Sequence, residues 1–293
     1  MACVLWACCS ATLLPAAQRY PAAGLVLKID RAHKSFVASC KAIPNYMDAM
    51  VMPIPVHDEK LLDKLHPGDA IDFTLVVTGD DAWAEDIRTH HFQSTEQDPF
   101  QAGGLRLIEN FGETGPAARE VPVGQTVPDF TLTGEAAQPV TLSQFRGKVV
   151  VAAFVYTSCP LPNFCFRLSN NLGQLQTRFA NRMGRDLILL SITIDPVRDT
   201  PPVLLKYAAT WKADTSAWHF LTGSEQAIRT VSHRFGVNYW PGEGSLTHSL
   251  HTILIDRQGR LSANLEGNEF TAQQLGDLVS AQMDQPSINA PHP

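Results

Sequence analysis

The 293-residue sequence has no stretch of eighteen apolar residues within its body, so no internal segment is expected to span a membrane. It also lacks a basic stripe or an Arg-rich helix. With a formal net charge of −6, this argues against a nucleic-acid partner. Cysteine is scarce: Cys3, Cys8 and Cys9 crowd the N-terminus, leaving Cys40, Cys159 and Cys165 in the body. Three widely spaced thiols do not make a disulfide framework, so each is free to be individually functional. The first 17 residues carry no charge at all. They read as the apolar part of an export signal without its positive start, with Leu5-Trp6-Ala7-Cys8 similar to a lipoprotein cleavage site. The expectation is an exported protein on the periplasmic side of a bacterial inner membrane, with Cys8 a candidate for lipid attachment and the true start upstream.

What remains is an ordinary globular composition, 44% hydrophobic and 18% charged, long enough for two domains. Residues 1–22 are assigned to the signal, 23–94 to a first domain, 95–120 to a Gly/Pro-rich linker, 121–285 to a second domain and 286–293 to a disordered tail. The first domain shows short strands at Leu25 to Ile29, Ser35 to Ala38 and Met50 to Val56, then a short helix from Glu59 to Leu65, then strands at Ala70 to Thr78 and Glu85 to His91. Pro53 and Pro55 suit an edge strand. The set predicts a small β-barrel of OB type. The second domain alternates strands and helices and ends in a hairpin and a helix capped by Thr271. This predicts an α/β fold, a mixed sheet with helices on both faces.

The most informative segment is Cys159-Pro160-Leu161-Pro162-Asn163-Phe164-Cys165, directly after the run Val149 to Tyr156. A β-branched run this dense reads as a strand buried on both faces. Leu168, Leu172, Leu175 and Phe179 then repeat at helical spacing. Two thiols at a strand-to-helix turn lie near amides that lower a thiol pKa. His248, just ahead of the strand His251 to Ile255, adds an imidazole. Two thiolates and one imidazole suit copper and can also hold zinc. His219 and His233 read as side chains satisfied near the core.

Lys148 to Cys165, Thr193 to Pro201 and Thr247-His248-Ser249 with Leu254-Ile255-Asp256 resemble, in order and context, the Sco/SenC family. The resemblance implies a thioredoxin-like fold and one copper held by Cys159, Cys165 and His248. It also implies a metallochaperone that builds the CuA centre of cytochrome c oxidase, or another cuproenzyme, or that reduces its cysteines. Asp195 would lie near the ligands or on a partner surface. One departure is clear: five residues separate the cysteines where the family has three. A six-residue step on an ideal helix turns about 600°, facing the thiols apart. Pro160 and Pro162 prevent that helix and predict an enlarged loop.

A second sulfur group comes earlier. Cys40, Met47, Met50 and Met52 lie in one short segment of a chain with only 6 methionines. Thioether and thiolate sulfur favour Cu(I), whereas methionines on a strand usually fill a core. The segment resembles periplasmic copper-binding proteins of the CusF type. Their Met-x-Met pair matches Met50 and Met52, with Cys40 aligned to their histidine and Met47 to their tryptophan. Two functions compete: a copper chaperone, and a thiol–disulfide oxidoreductase acting on exported proteins with a thioredoxin-like reductant as partner. A thiol peroxidase ranks last, because Tyr156 stands where those enzymes place a threonine.

Overall fold

The computed structural model describes residues 17–79, 81–90, 120–241 and 246–285. The expected linker, most of the signal segment and the tail fall outside them.

The N-terminal domain is a five-stranded antiparallel sheet. It comprises β1 (Gln18–Asp30), β2 (Ser35–Cys40), β3 (Met50–Pro55), β4 (Ala70–Thr78) and β5 (Asp81–Thr89), ordered β3-β2-β1-β4-β5. Val56 bridges Ala84 and brings the two ends of the sheet together as a small barrel. Val26, Phe36, Ile54, Leu62, Ile71 and Leu75 fill it. Pro53 and Pro55 lie on a strand at the end of the sheet, where a missing amide donor costs no ladder bond. β1 begins at Gln18, inside the stretch read as a signal. Gln18 to Leu25 pair with Val77 to Ala70. Pro21-Ala22-Ala23 has little strand propensity, so this part of the strand is held by its partner rather than by its own composition.

The C-terminal domain is thioredoxin-like. A small hairpin, β6 (Thr131–Thr133) with β7 (Pro139–Thr141), precedes the central strand β8 (Val149–Val155). Then follow α1 (Arg167–Arg178), β9 (Leu187–Thr193), α2 (Pro201–Thr210), β10 (Trp218–Leu221) and α3 (Glu225–Arg234). A second hairpin, β11 (Tyr239–Pro241) with β12 (Leu246–His248), leads into β13 (His251–Ile255), β14 (Leu261–Glu266) and α4 (Ala272–Met283). The sheet order is β10-β9-β8-β13-β14, with β8, β9 and β10 parallel and β13 and β14 antiparallel. Every residue of β8 and β9 is buried. That is why both appear in the sequence as continuous apolar runs rather than as alternation.

α4 starts with a reciprocal cap: Gln274 N donates to Thr271 Oγ1 and Thr271 N to Gln274 Oε1. The helix packs on α1 and on the outer face of β1 and β2, so the barrel sits against the thioredoxin-like domain. Among the described residues no helix is long and apolar enough to cross a membrane.

Phe154 is fully buried at the centre of this core. Phe154→Ala is expected to lower unfolding stability by about 3–5 kcal/mol, and Thr271→Ala by about 1 kcal/mol, in urea denaturation. A loss below 1 kcal/mol at Phe154 would mean that the core closes over the cavity.

Candidate metal centre

The chain leaves β8 at Tyr156 and turns before entering α1. Pro160 and Pro162 keep the first part of that turn out of a regular helix. Pro162 to Phe166 then form a wide, irregular turn in which Phe164 (φ −109°, ψ −106°) departs from helical geometry. The added residues are taken up here, as the sequence predicts, and the turn swings Cys165 back toward the end of β8. Cys165 is buried, and Cys159 is partly exposed at the rim.

The turn is anchored by a residue within the Thr193 to Pro201 motif that nothing in the sequence singles out. Asp199 is fully buried and accepts hydrogen bonds from Thr157 N (3.0 Å), Thr157 Oγ1 and Thr193 Oγ1 (2.6 Å). Asp195, the residue favoured from the motif, instead organises its own turn. Its backbone N–H donates to Thr193 Oγ1, and its carboxylate takes Arg198 N and Nη1 at 3.4 Å. The turn's far side is held by Asn268 Nδ2, which donates to Asn163 O.

His248 arrives on β12, a strand of a short hairpin just ahead of β13. Tyr156 Oη donates to Leu246 O (3.1 Å) and ties this hairpin to the sulfur turn. Only 3% exposed, His248 places Nε2 3.6 Å from Cys165 Sγ. Its Nδ1 lies 2.9 Å from Ser249 O, an acceptor only, so Nδ1 carries the hydrogen. The other nitrogen therefore faces the sulfurs, in the position from which an imidazole can ligate a metal.

Electrostatics divides the two thiols. A hydrogen bond from Cys165, helped by His248 and opposed by partial burial, pulls the Cys159 thiol down to about 4. The hydrogen bond to Cys159, burial and the neighbouring negative charge push Cys165 far up. The metal-free pair is thus a thiolate on Cys159 sharing the proton of Cys165. Burial and the same charge also raise the Tyr156 phenol, which remains a neutral donor.

The trio fits a soft or borderline metal. A thiolate at roughly 2.3 Å and an imidazole at roughly 2.0 Å from one ion stand about 3.6 Å apart at trigonal to tetrahedral angles, the separation seen between Cys165 and His248. Among the described residues, no three His, Cys, Asp or Glu side chains already form a metal cage. An entering ion must therefore displace the Cys165 proton and part the thiol–thiolate contact. Beside Cys159 opens a cleft of about 350 Å³ lined by Tyr156, Thr157, Phe166, Tyr207 and Trp211.

The N-terminal sulfur group is built on strand register. Cys40 lies opposite Met50, and Met52 opposite Ala38. Directly opposed residues share a face, which here is the interior face that also holds Ile54. Met47 is brought alongside by a turn in which Ile43 N donates to Met47 O (2.8 Å) and Met47 N to Ile43 O (3.0 Å). Tyr46 in that turn stacks on Tyr20, with ring centroids 4.1 Å apart. Met47 and Met52 pack on the barrel core, while Met50 is 49% exposed at the rim. Burial raises the Cys40 thiol to about 11, so it is protonated at neutral pH and a metal must displace the proton. Of the remaining histidines, His219 is half-buried and stacks on Phe145. Its Nδ1 stands 3.9 Å from Glu135 Oε1, too far for a hydrogen bond.

Residues 119–283 match the SCO1/SenC family model, more than half of the chain, and the chain belongs to that family. Residues 19–89 match the model of the copper binding periplasmic protein CusF. Among curated relatives, a SCO1 protein homolog of Bacillus subtilis is 27% identical over 163 residues, covering 54% of this chain and 82% of its own length. A SCO2-like protein of Rickettsia felis is 32% identical over 139 residues, covering 45% of this chain and 65% of its own. Among solved structures, a candidate electron-transfer protein from Aquifex aeolicus superposes with a TM-score of 0.50 at 15% identity. That match covers 58% of this chain and all of the other, and it supports the thioredoxin-like fold.

The low Cys159 value has a direct consequence. Iodoacetamide should alkylate Cys159 at pH 6 at close to its pH 8 rate, the rate falling only as pH approaches 4, while Cys165 reacts slowly throughout. A Cys159 rate rising tenfold per pH unit between 6 and 8 would show an ordinary thiol.

Proposed function

We propose that this protein is an exported copper metallochaperone, with Cys159, Cys165 and His248 as the ligands from which copper is delivered. The observation that carries this reading is the contact of the buried Cys165 with a His248 ring whose Nδ1 is already committed to Ser249 O. That ring orientation belongs to a metal ligand. A pair used only for disulfide exchange does not need it. The recipient is a subunit carrying the CuA site of cytochrome c oxidase, or another cuproenzyme, as the family resemblance implies.

The barrel is assigned a separate Cu(I) site on Cys40, Met47, Met50 and Met52. Three neutral thioethers and one thiol favour a soft monovalent ion over zinc. The match to the CusF model supports this assignment, and it supports a periplasmic location.

A second reading is favoured by the depressed Cys159 thiol: a thiol–disulfide reductase that keeps the cysteines of a copper-site client reduced. The two readings separate at His248. Cys159→Ala, Cys165→Ala and His248→Ala should each lower copper affinity by at least a hundredfold, measured by competition with a chelator of known affinity. The Cys159–Cys165 disulfide should bind none. Copper binding unchanged in His248→Ala, with rapid turnover of a disulfide substrate, would favour the reductase.

At the barrel, Met50→Leu with Met52→Leu keeps the apolar volume and removes two sulfurs. Cu(I) binding should fall at least tenfold while the thermal unfolding midpoint changes little. Unaltered affinity would return both methionines to a packing role.

A further inference from the structure

β1 and β2 present two faces, and alternate residues serve different domains. Val26, Phe36, Ala38 and Cys40 belong to the barrel core, while Leu25 and Leu27 belong to the core of the thioredoxin-like domain and Val37 packs against it. Leu25 pairs with Ser39, and Val26 with Ala38. At the outer face, Ser39 Oγ donates to Asp277 Oδ2 (2.7 Å) and Gln274 Nε2 donates to Ser39 O (3.0 Å), both buried. Arg178 holds the other oxygen of Asp277 at 2.7 Å. Gly68 approaches β14 so closely that a Cβ there would stand 2.9 Å from Ala263 Cβ, and its φ of +95° also favours glycine.

Ser39 and Cys40 are consecutive on a strand, so their side chains point to opposite faces. Ser39 points into the contact with α4, and Cys40 points away from it into the barrel, where it is 3% exposed. Met50 and Met52 share the Cys40 face. The wall of the barrel therefore stands between its sulfur group and the domain carrying Cys159, Cys165 and His248. The exposed rim residues Tyr46 and Met50 lie at this inner-face site, whereas Val51 pairs with Ser39 and faces the other way.

We propose that docking of the barrel on α4 is a gate. While docked, the barrel's sulfur site faces away from the second domain, and copper passes between the two sites of one chain only after β1 and β2 leave α4. The proposal rests on the reading of both sulfur groups as copper sites. Residues 91–119 join the domains covalently and, fully extended, span up to roughly 100 Å, so departure from α4 is compatible with chain connectivity.

The test is the full-length double variant Ser39→Ala with Gln274→Glu. The alanine removes the hydroxyl donor. The glutamate removes the Nε2 donor yet keeps an acceptor for Thr271 N, so the cap of α4 survives. Docking is read from the radius of gyration in solution scattering and from hydrogen exchange at residues 39–41. For handover, the barrel is loaded with Cu(I) while Cys159 and Cys165 form a disulfide, and one equivalent of phosphine, consumed as its oxide, then reduces that bond to the two thiols. Return of the Met47, Met50 and Met52 methyl NMR signals to their metal-free positions measures copper leaving the barrel.

The variant should show a larger radius, faster exchange and a concentration-independent handover at least tenfold faster than the parent. An opened variant whose handover is no faster would overturn the gate. So would a variant that stays docked, because these contacts would then not hold the barrel. A barrel that takes up no Cu(I) in either protein is recognised at the loading step. It would refute the copper reading of that site and the gate with it, whereas normal loading with unchanged handover refutes the gate alone.

Discussion

A buried carboxylate sets the position of the sulfur chemistry. Asp199 is removed from water and is satisfied by the amide and hydroxyl of Thr157 and by the hydroxyl of Thr193. Taking a carboxyl group out of solvent is tolerable only with such a set of donors. The same bonds pin the residue two places before Cys159 to the end of β9. Loss of Asp199 would leave Thr157 without its anchor and release the beginning of the turn. The position of Cys159 thus depends on β9 as much as on its own strand.

Given that anchor, the longer spacing between the cysteines becomes intelligible. A three-residue gap would place the thiols one helical turn apart, whereas five residues on a regular helix would face them away from each other. Two prolines and the non-helical Phe164 prevent the regular path, and the extra length bulges outward, where Asn268 catches Asn163 O. The sulfurs still meet: the thiolate on Cys159 is stabilised by the proton that Cys165 retains. The enlarged turn changes what surrounds the pair more than whether it forms, exposing Pro160, Pro162 and Phe166 around the rim.

The parts of the fold legible in sequence were those whose environment is uniform. β8 and β9 are buried on both faces, so burial alone writes their pattern. The Thr271 cap and Leu168, Leu172 and Leu175 of α1 obey local rules that need no partner. Elements defined by a partner were not legible. The start of β1 exists because β4 lies beside it, and β11 and β12 form a three-residue pairing with no apolar alternation. Asp199 was hidden for a related reason: between Arg198 and Thr200 it looks like one more solvated charge. The cysteines of the turn stood out in the sequence because their chemistry is rare and their spacing is short. Their geometry relative to His248 depended on the turn and on the hairpin carrying it. Docking of the domains was hidden as well. Leu25-Val26-Leu27 is a short apolar run whose residues belong alternately to two different cores, and one sequence cannot say that the second core is another domain.

The two sulfur groups differ in what metal binding demands of them. At the C-terminal site one thiol is already ionised, so a metal would meet a charged sulfur at the rim and would have to displace the proton of Cys165. At the barrel the only thiol is held protonated by its surroundings, and the remaining donors are neutral thioethers. Charge therefore favours the first site, and more so for a doubly charged ion, since a neutral thioether offers little to offset the loss of that ion's hydration. Acid has a limited effect on this difference in charge: above about pH 5 Cys159 keeps its charge. On the proposed reading of both groups as copper sites, this difference in charge would favour transfer from barrel to thioredoxin-like domain, and docking on α4 would bear on its rate, not on its direction.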